Sequence, residues 1–123
     1  MILAITAQGT DLDSSLVPRF GRCRYFILVD LESGESKALA NQAVTESGGA
    51  GPQGAQFLAD NNVGAVITGN VGPNAMRALQ AAGIKVYLAA SGTVRDALES
   101  YKKGKLAPLS EATVGSHSGL GRN

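Results

Sequence analysis

Apolar positions along this chain fall in two rhythms. The short runs Ile2–Ala7, Ala65–Thr68 and Lys85–Ala89 have strand length and end near glycine or small polar residues, as buried strands do. Between and after them the apolar spacing becomes helical. Pro52–Asn62 carries Ala55, Phe57, Leu58 and Ala59 along one side. Gly72–Ala82 has Pro73 in its first turn, where a missing N–H costs nothing, and Gly83 to stop it. A third helix opens at Thr93, with Asp96 at capping-box spacing. It presents Val94, Ala97, Leu98 and Tyr101, and ends near Gly104. Tyr25–Asp30 is rich in β-formers, and Glu35–Ala40 pairs with it as a hairpin across Glu32-Ser33-Gly34. Asn41–Gly54, dense in glycine, serine and threonine, reads as a long loop.

This order joins an antiparallel hairpin to a parallel βαβαβ unit. Right-handed crossovers set Ile2–Ala7, Ala65–Thr68 and Lys85–Ala89 side by side, with the hairpin extending one edge. The expected fold is α/β and ribonuclease H-like: a five-stranded mixed sheet flanked by three helices. It occupies residues 1–107, and the glycine- and serine-rich stretch 108–123 is a flexible tail. No internal repeat or domain boundary interrupts it.

Composition narrows the function classes. The chain has 123 residues, 44% apolar and 17% charged, with a net charge of +1, so no overall field recommends nucleic acid or a membrane as partner. No stretch approaches the roughly 20 apolar residues that span a bilayer. Met1–Ile5 lacks the basic region and long apolar run of a secretory signal. A single cysteine, Cys23, excludes an internal disulfide and suits a reducing compartment, so the expected location is the cytoplasm.

The 16 glycines are the unusual feature, and their placement matters more than their number. In open α/β sheets, ligands bind beyond the carboxyl ends of the parallel strands. Those ends carry Gln8-Gly9-Thr10, Gly69-Asn70-Val71-Gly72-Pro73-Asn74 and Ala90-Ser91-Gly92-Thr93. The last two lead into helices, whose starts offer N–H donors and a positive dipole end to an anion. Each glycine could serve only its own turn, but three such turns at one end favour a ligand site.

Gly49-Ala50-Gly51-Pro52-Gln53-Gly54 spells G-x-G-x-x-G. A dinucleotide fingerprint must follow the first parallel strand directly, with an acid about 20 residues on. Here a polar loop separates it from a hairpin strand, and the next strand end carries Asn70. The segment reads instead as a loop that folds over a ligand, or as a plain linker.

Arg19-Phe20-Gly21-Arg22-Cys23-Arg24 gathers three cations and no acid. Guanidinium groups are weakly hydrated and match multi-oxygen anions. A solvated basic face would explain the run; as a clamp it would take a phosphate-bearing molecule, RNA or an anionic inorganic cluster. Cys23 and His117 are too few for a zinc or iron–sulfur cage built from one subunit. Cys23 beside arginines is either a reactive thiol or a buried structural one. Ribonuclease H-type nucleases carry carboxylates on their central strands for two metal ions. Ile2–Ala7 and Ala65–Asn70 contain none, and Ser–His–Asp chemistry would have to draw on His117 in the tail. The expectation is a protein that is not an enzyme.

The opening strand, Phe20-Gly21-Arg22, Tyr25–Asp30, Val66-Ile67-Thr68-Gly69-Asn70-Val71-Gly72 and Gly83-Ile84-Lys85-Val86 together resemble the nitrogenase iron–molybdenum cofactor biosynthesis accessory family. The helix Thr93–Tyr101 with Gly104-Lys105-Leu106 extends the resemblance over residues 1–107. It implies a ribonuclease H-like fold and transient binding of a metal–sulfur cluster or its precursor. Within the family the chain is most similar to the orange proteins of sulfate-reducing bacteria. For those, the resemblance implies a molybdenum–copper sulfide cluster held non-covalently, sometimes alongside Mrp/MinD-type ATPases. A cluster that brings its own sulfide needs shape, N–H donors and positive charge rather than a cage of cysteines. The residues expected to hold it are Arg19, Phe20, Gly21, Arg22, Arg24, Gly69, Asn70, Val71, Gly72, Asn74, Ser91, Gly92 and Thr93, with no protein–metal ligand. The alternative is a regulatory module that docks on a partner ATPase without metal.

Overall fold

The structure, a computed structural model, describes residues 1–41, 50–89 and 92–110. Six strands form one mixed sheet: β1 (Ile2–Ala7), β2 (Tyr25–Asp30), β3 (Ser36–Ala40), β4 (Val63–Thr68), β5 (Lys85–Leu88) and β6 (Ala107–Leu109). Their order is β3-β2-β1-β4-β5-β6. The strands β1, β4 and β5 are parallel, the β2–β3 hairpin is antiparallel to β1, and β6 is antiparallel to β5. Three helices complete the fold: α1 (Ala50–Asp60), α2 (Pro73–Ala81) and α3 (Val94–Lys102).

Strand alternation decides which helix covers which face. Ala4, Phe26, Leu28, Val66 and Val86 meet Leu58 of α1 and Met76 and Leu79 of α2. The intervening Leu3, Ile5, Ile27, Val29 and Ile67 meet Val94, Ala97 and Leu98 of α3. The central strands are therefore buried on both sides, which explains their continuous apolar runs. Gly83, at φ 75°, ends α2 in the left-handed region, and Ile84 N–H closes the turn on Leu79 C=O at 2.9 Å.

Two expectations change. The sheet has six strands rather than five. The sixth contains Pro108, which reads as a breaker in sequence but stands opposite Tyr87 on an edge strand, where a missing N–H is tolerated. Secondly, α1 begins at Ala50, two residues before the expected start at Pro52, so Ala50 and Gly51 are helix rather than loop. Pro52 sits within the first helical turn, where N–H groups have no intrahelical acceptor in any case. Gly49 lies outside the described residues, as do Ser91 and His117. No helix among the described residues is long and apolar enough to cross a membrane.

Candidate functional site

The carboxyl ends of β1, β4 and β5 are crossed by residues 8–24, which return to the strand ends repeatedly. Gln8 N–H donates to Ser15 C=O at 3.0 Å, Leu16 N–H to Gly92 C=O at 2.9 Å, Val17 N–H to Thr6 C=O at 3.0 Å and Phe20 N–H to Asn70 C=O at 3.0 Å. Beneath this strap the buried Thr6 hydroxyl donates to Val17 C=O at 2.7 Å and stands 3.0 Å from Thr68 Oγ1. Pro18 lies directly over Gly69: a Cβ there would stand 2.6 Å from Pro18 O and 2.8 Å from its Cα. Gly69 is thus consumed by the strap, not by a ligand.

The start of α3 is closed by the same strap. Val94 N–H donates to Ser14 C=O at 2.9 Å and Arg95 N–H to Leu12 C=O at 2.8 Å. Asp96 N–H donates to Thr93 Oγ1 at 3.1 Å, while Thr93 N–H donates to Asp96 Oδ2 at 3.0 Å, completing the capping box. The Thr93 donor holds the Asp96 carboxyl below its ordinary value. Each first-turn donor is occupied, and a carboxylate already sits on the dipole end. The Gly92 side of this turn is filled as well, since a Cβ there would lie 2.9 Å from Asp96 Oδ2.

The start of α2 differs at every point. Its cap, Gly72, is extended and carries no side-chain cap bond, and Pro73 has no N–H to satisfy. The first turn contains no acid. That leaves the backbone donors of Asn74 and Ala75 without intrahelical acceptors at a positive dipole end. Asn74 Oδ1 accepts from the Arg77 guanidinium.

The arginine segment runs beside this open start. Arg19 and Asn70 form a bridge of parallel type, so their backbones lie adjacent. Phe20–Arg22 is a single 3-10 turn with Arg19 as its cap. Phe20 is 1% exposed, with its ring centroid 5.7 Å from that of Phe26. Burying such a side chain stabilises by roughly 1.5–3 kcal/mol, enough to anchor the segment. Arg19, Arg22 and Arg24 are exposed, and no carboxylate among the described residues pairs with them; the ion pairs there join Met1 to Glu32 and Arg95 to Asp13. Among the described residues the arginines therefore present charge that no carboxylate compensates.

Cys23 is fully buried beneath them. Asn41 Nδ2 donates to its carbonyl at 2.9 Å and lies 3.5 Å from its sulfur. Burial pushes the Cys23 thiol up to about 12, which removes it as a nucleophile at neutral pH in this conformation. Neither the sequence's reactive-thiol reading nor a metal-ligand role fits that donor. No group of three or more histidine, cysteine or acidic side chains that could hold a metal ion occurs among the described residues.

Of the residues expected at the site, the structure sets Arg19 beside Asn70, with Gly72 and Asn74 following in the start of α2, Gly21 and Arg22 on the adjoining turn and Arg24 two residues on. Phe20 and Val71 are core residues, Gly69 packs under Pro18, and Gly92 and Thr93 belong to the closed start of α3. Sequence reasoning missed Pro18, Asn41 and the Ala75 N–H. The absence of a Ser, Thr, Asp or Asn before Pro73 was the available signal for an uncapped helix. Two clefts lie elsewhere: one of about 450 Å³ beside Ile2, Asp30, Lys37 and Asn61, and one of about 550 Å³ beside Leu31, Tyr87, Tyr101 and Leu106.

Residues 1–104 match the family described as dinitrogenase iron–molybdenum cofactor. The chain belongs to this family. Its fold superposes on the apo form of the orange protein from Desulfovibrio gigas with a TM-score of 0.87 at 40% identity, over 90% of this chain and 94% of that one. A NifB-like protein of Thermotoga aligns with a TM-score of 0.83 at 39% identity, over 92% of this chain and 97% of that one. An uncharacterised protein of Methanocaldococcus jannaschii is 34% identical over 97 residues, 76% of this chain and 82% of its own length. The chain thus spans nearly the whole of both superposed structures.

Proposed function

We propose that the protein is a non-catalytic carrier for an anionic metal–sulfur cluster, bound without protein–metal bonds between the arginine segment and the start of α2. The observation that carries this reading is the Arg19–Asn70 bridge, which sets the backbone of the arginine segment, whose guanidinium groups have no carboxylate partner among the described residues, beside the turn that opens α2 without a side-chain cap. Charge-assisted N–H donors of this kind favour polarisable multi-anionic ligands. Similarity to the orange protein and to a NifB-like protein supports a cargo of molybdenum–copper sulfide or iron–molybdenum cofactor precursor type. The hairpin joined to a parallel βαβαβ unit supports the ribonuclease H-like description of the fold. A reducing cytoplasm suits such a cargo.

Reconstitution with tetrathiomolybdate and copper(I), then gel filtration with visible absorption and metal analysis, tests the proposal. Colour and metal should co-elute with the protein. Arg19→Ala combined with Arg22→Ala should lower retention several-fold without lowering thermal stability, because both side chains are exposed. Protein that elutes colourless and metal-free would refute the molybdenum–copper form of the proposal.

A further inference from the structure

We infer that Gly54, the last glycine of the G-x-G-x-x-G string, is a positioning residue for the arginine segment, acting through Phe20. This inference rests on the proposed cluster site and deepens it. Gly54 lies within α1, and a Cβ built there would stand 3.2 Å from Phe20 Cε2 and 3.3 Å from Phe20 Cζ. That is tighter than ordinary packing, so a side chain at position 54 would require the Phe20 ring to give by a few tenths of an ångström. Phe20 is in turn the buried member of the 3-10 turn that carries Arg22 and follows Arg19. Its N–H bonds to Asn70 C=O, beside the open start of α2. A wedge at position 54 therefore moves the ring, and the ring moves the arginines relative to the helix start. The glycine serves helix-to-strap packing, with no contact to ligand.

The inference separates position from stability. Glycine inside a helix is less favourable than alanine or leucine, so Gly54→Ala should not weaken α1 itself. Amide hydrogen exchange of Gly54→Ala and Gly54→Leu protein, without any cluster, reads the positioning directly. Exchange at Phe20 should accelerate, at least tenfold in Gly54→Leu, while the amides of Leu58 and Ala59 keep their protection. Adding Phe20→Leu to Gly54→Ala should restore slow exchange by removing the clashing ring edge. Tetrathiomolybdate and copper(I) retention should fall in the same order and recover in the double variant. Unchanged exchange at Phe20 in Gly54→Leu overturns the inference, whatever the cluster does. Accelerated exchange with retention equal to wild type overturns its link to binding. Accelerated exchange in variants whose wild type retains no cluster leaves the positioning role standing and overturns the proposed function instead.

Discussion

Helices α2 and α3 start from equivalent places, each following a glycine-bearing turn at the carboxyl end of a parallel strand. They use their first turns in opposite ways. Around α3, Ser14 and Leu12 carbonyls and the Thr93–Asp96 box take the first-turn donors, and Asp96 meets the dipole. Around α2, a glycine cap and a proline leave the Asn74 and Ala75 donors without an acceptor among the described residues, after a turn bridged to the arginine segment. The strap that closes one start delivers positive charge to the other. A helix start is a potential anion site only while nothing in the protein has already occupied it.

The sharpest way to break this contrast is to close α2 as α3 is closed. Gly72 is extended, at φ −74° and ψ 169°, so Gly72→Asp should fit and cap the helix, gaining roughly 0.5 kcal/mol. Cluster retention in the gel-filtration assay should be lost while thermal unfolding shifts slightly upward; retention at the wild-type level would remove α2 from the site. Next in size, Gly69→Ala drives a methyl group into the Pro18 backbone. Urea unfolding should register about 1–3 kcal/mol of destabilisation, the usual range for overpacking. Thr93→Ala opens α3 instead and should cost about 1 kcal/mol, with cluster retention unchanged, because that start faces the strap rather than a ligand.

The smallest effect is electrostatic. The Asp96 carboxyl is held below its ordinary value by its bond from Thr93 N–H, so its contribution to stability is present above the unfolded-state value. It is lost as pH falls through the lower folded-state value. An NMR titration should show the Thr93 amide resonance shifting in that acid range, while the Asn74 and Ala75 amides, with no acid in their turn, stay still. Matching shifts at both helix starts would erase the distinction.

Much of the fold was legible because burial on both faces writes continuous apolar runs, and hairpin turns write glycine. β1 and β2 fall on their expected boundaries, and α3 begins at its capping box as the Thr93–Asp96 spacing requires. β6 was not legible: three residues with a central proline carry no strand signal until β5 supplies a partner. The strap over residues 8–24 was equally hidden. Its bonds run from backbone to backbone across long separations, as between Phe20 and Asn70, so no side-chain pattern encodes them.

By itself the sequence determined every described strand and helix but β6, the parallel core, the family and the local charge of Arg19–Arg24, since all of these follow from short-range spacing and residue chemistry. Only the tertiary structure decided which glycines are free for a ligand. Neither Gly54, in the first turns of a helix, nor Gly69, in a turn, shows in sequence what it packs against, yet the first lies against Phe20 and the second under Pro18. Their space is claimed by residues distant in the chain, and no local pattern records that claim.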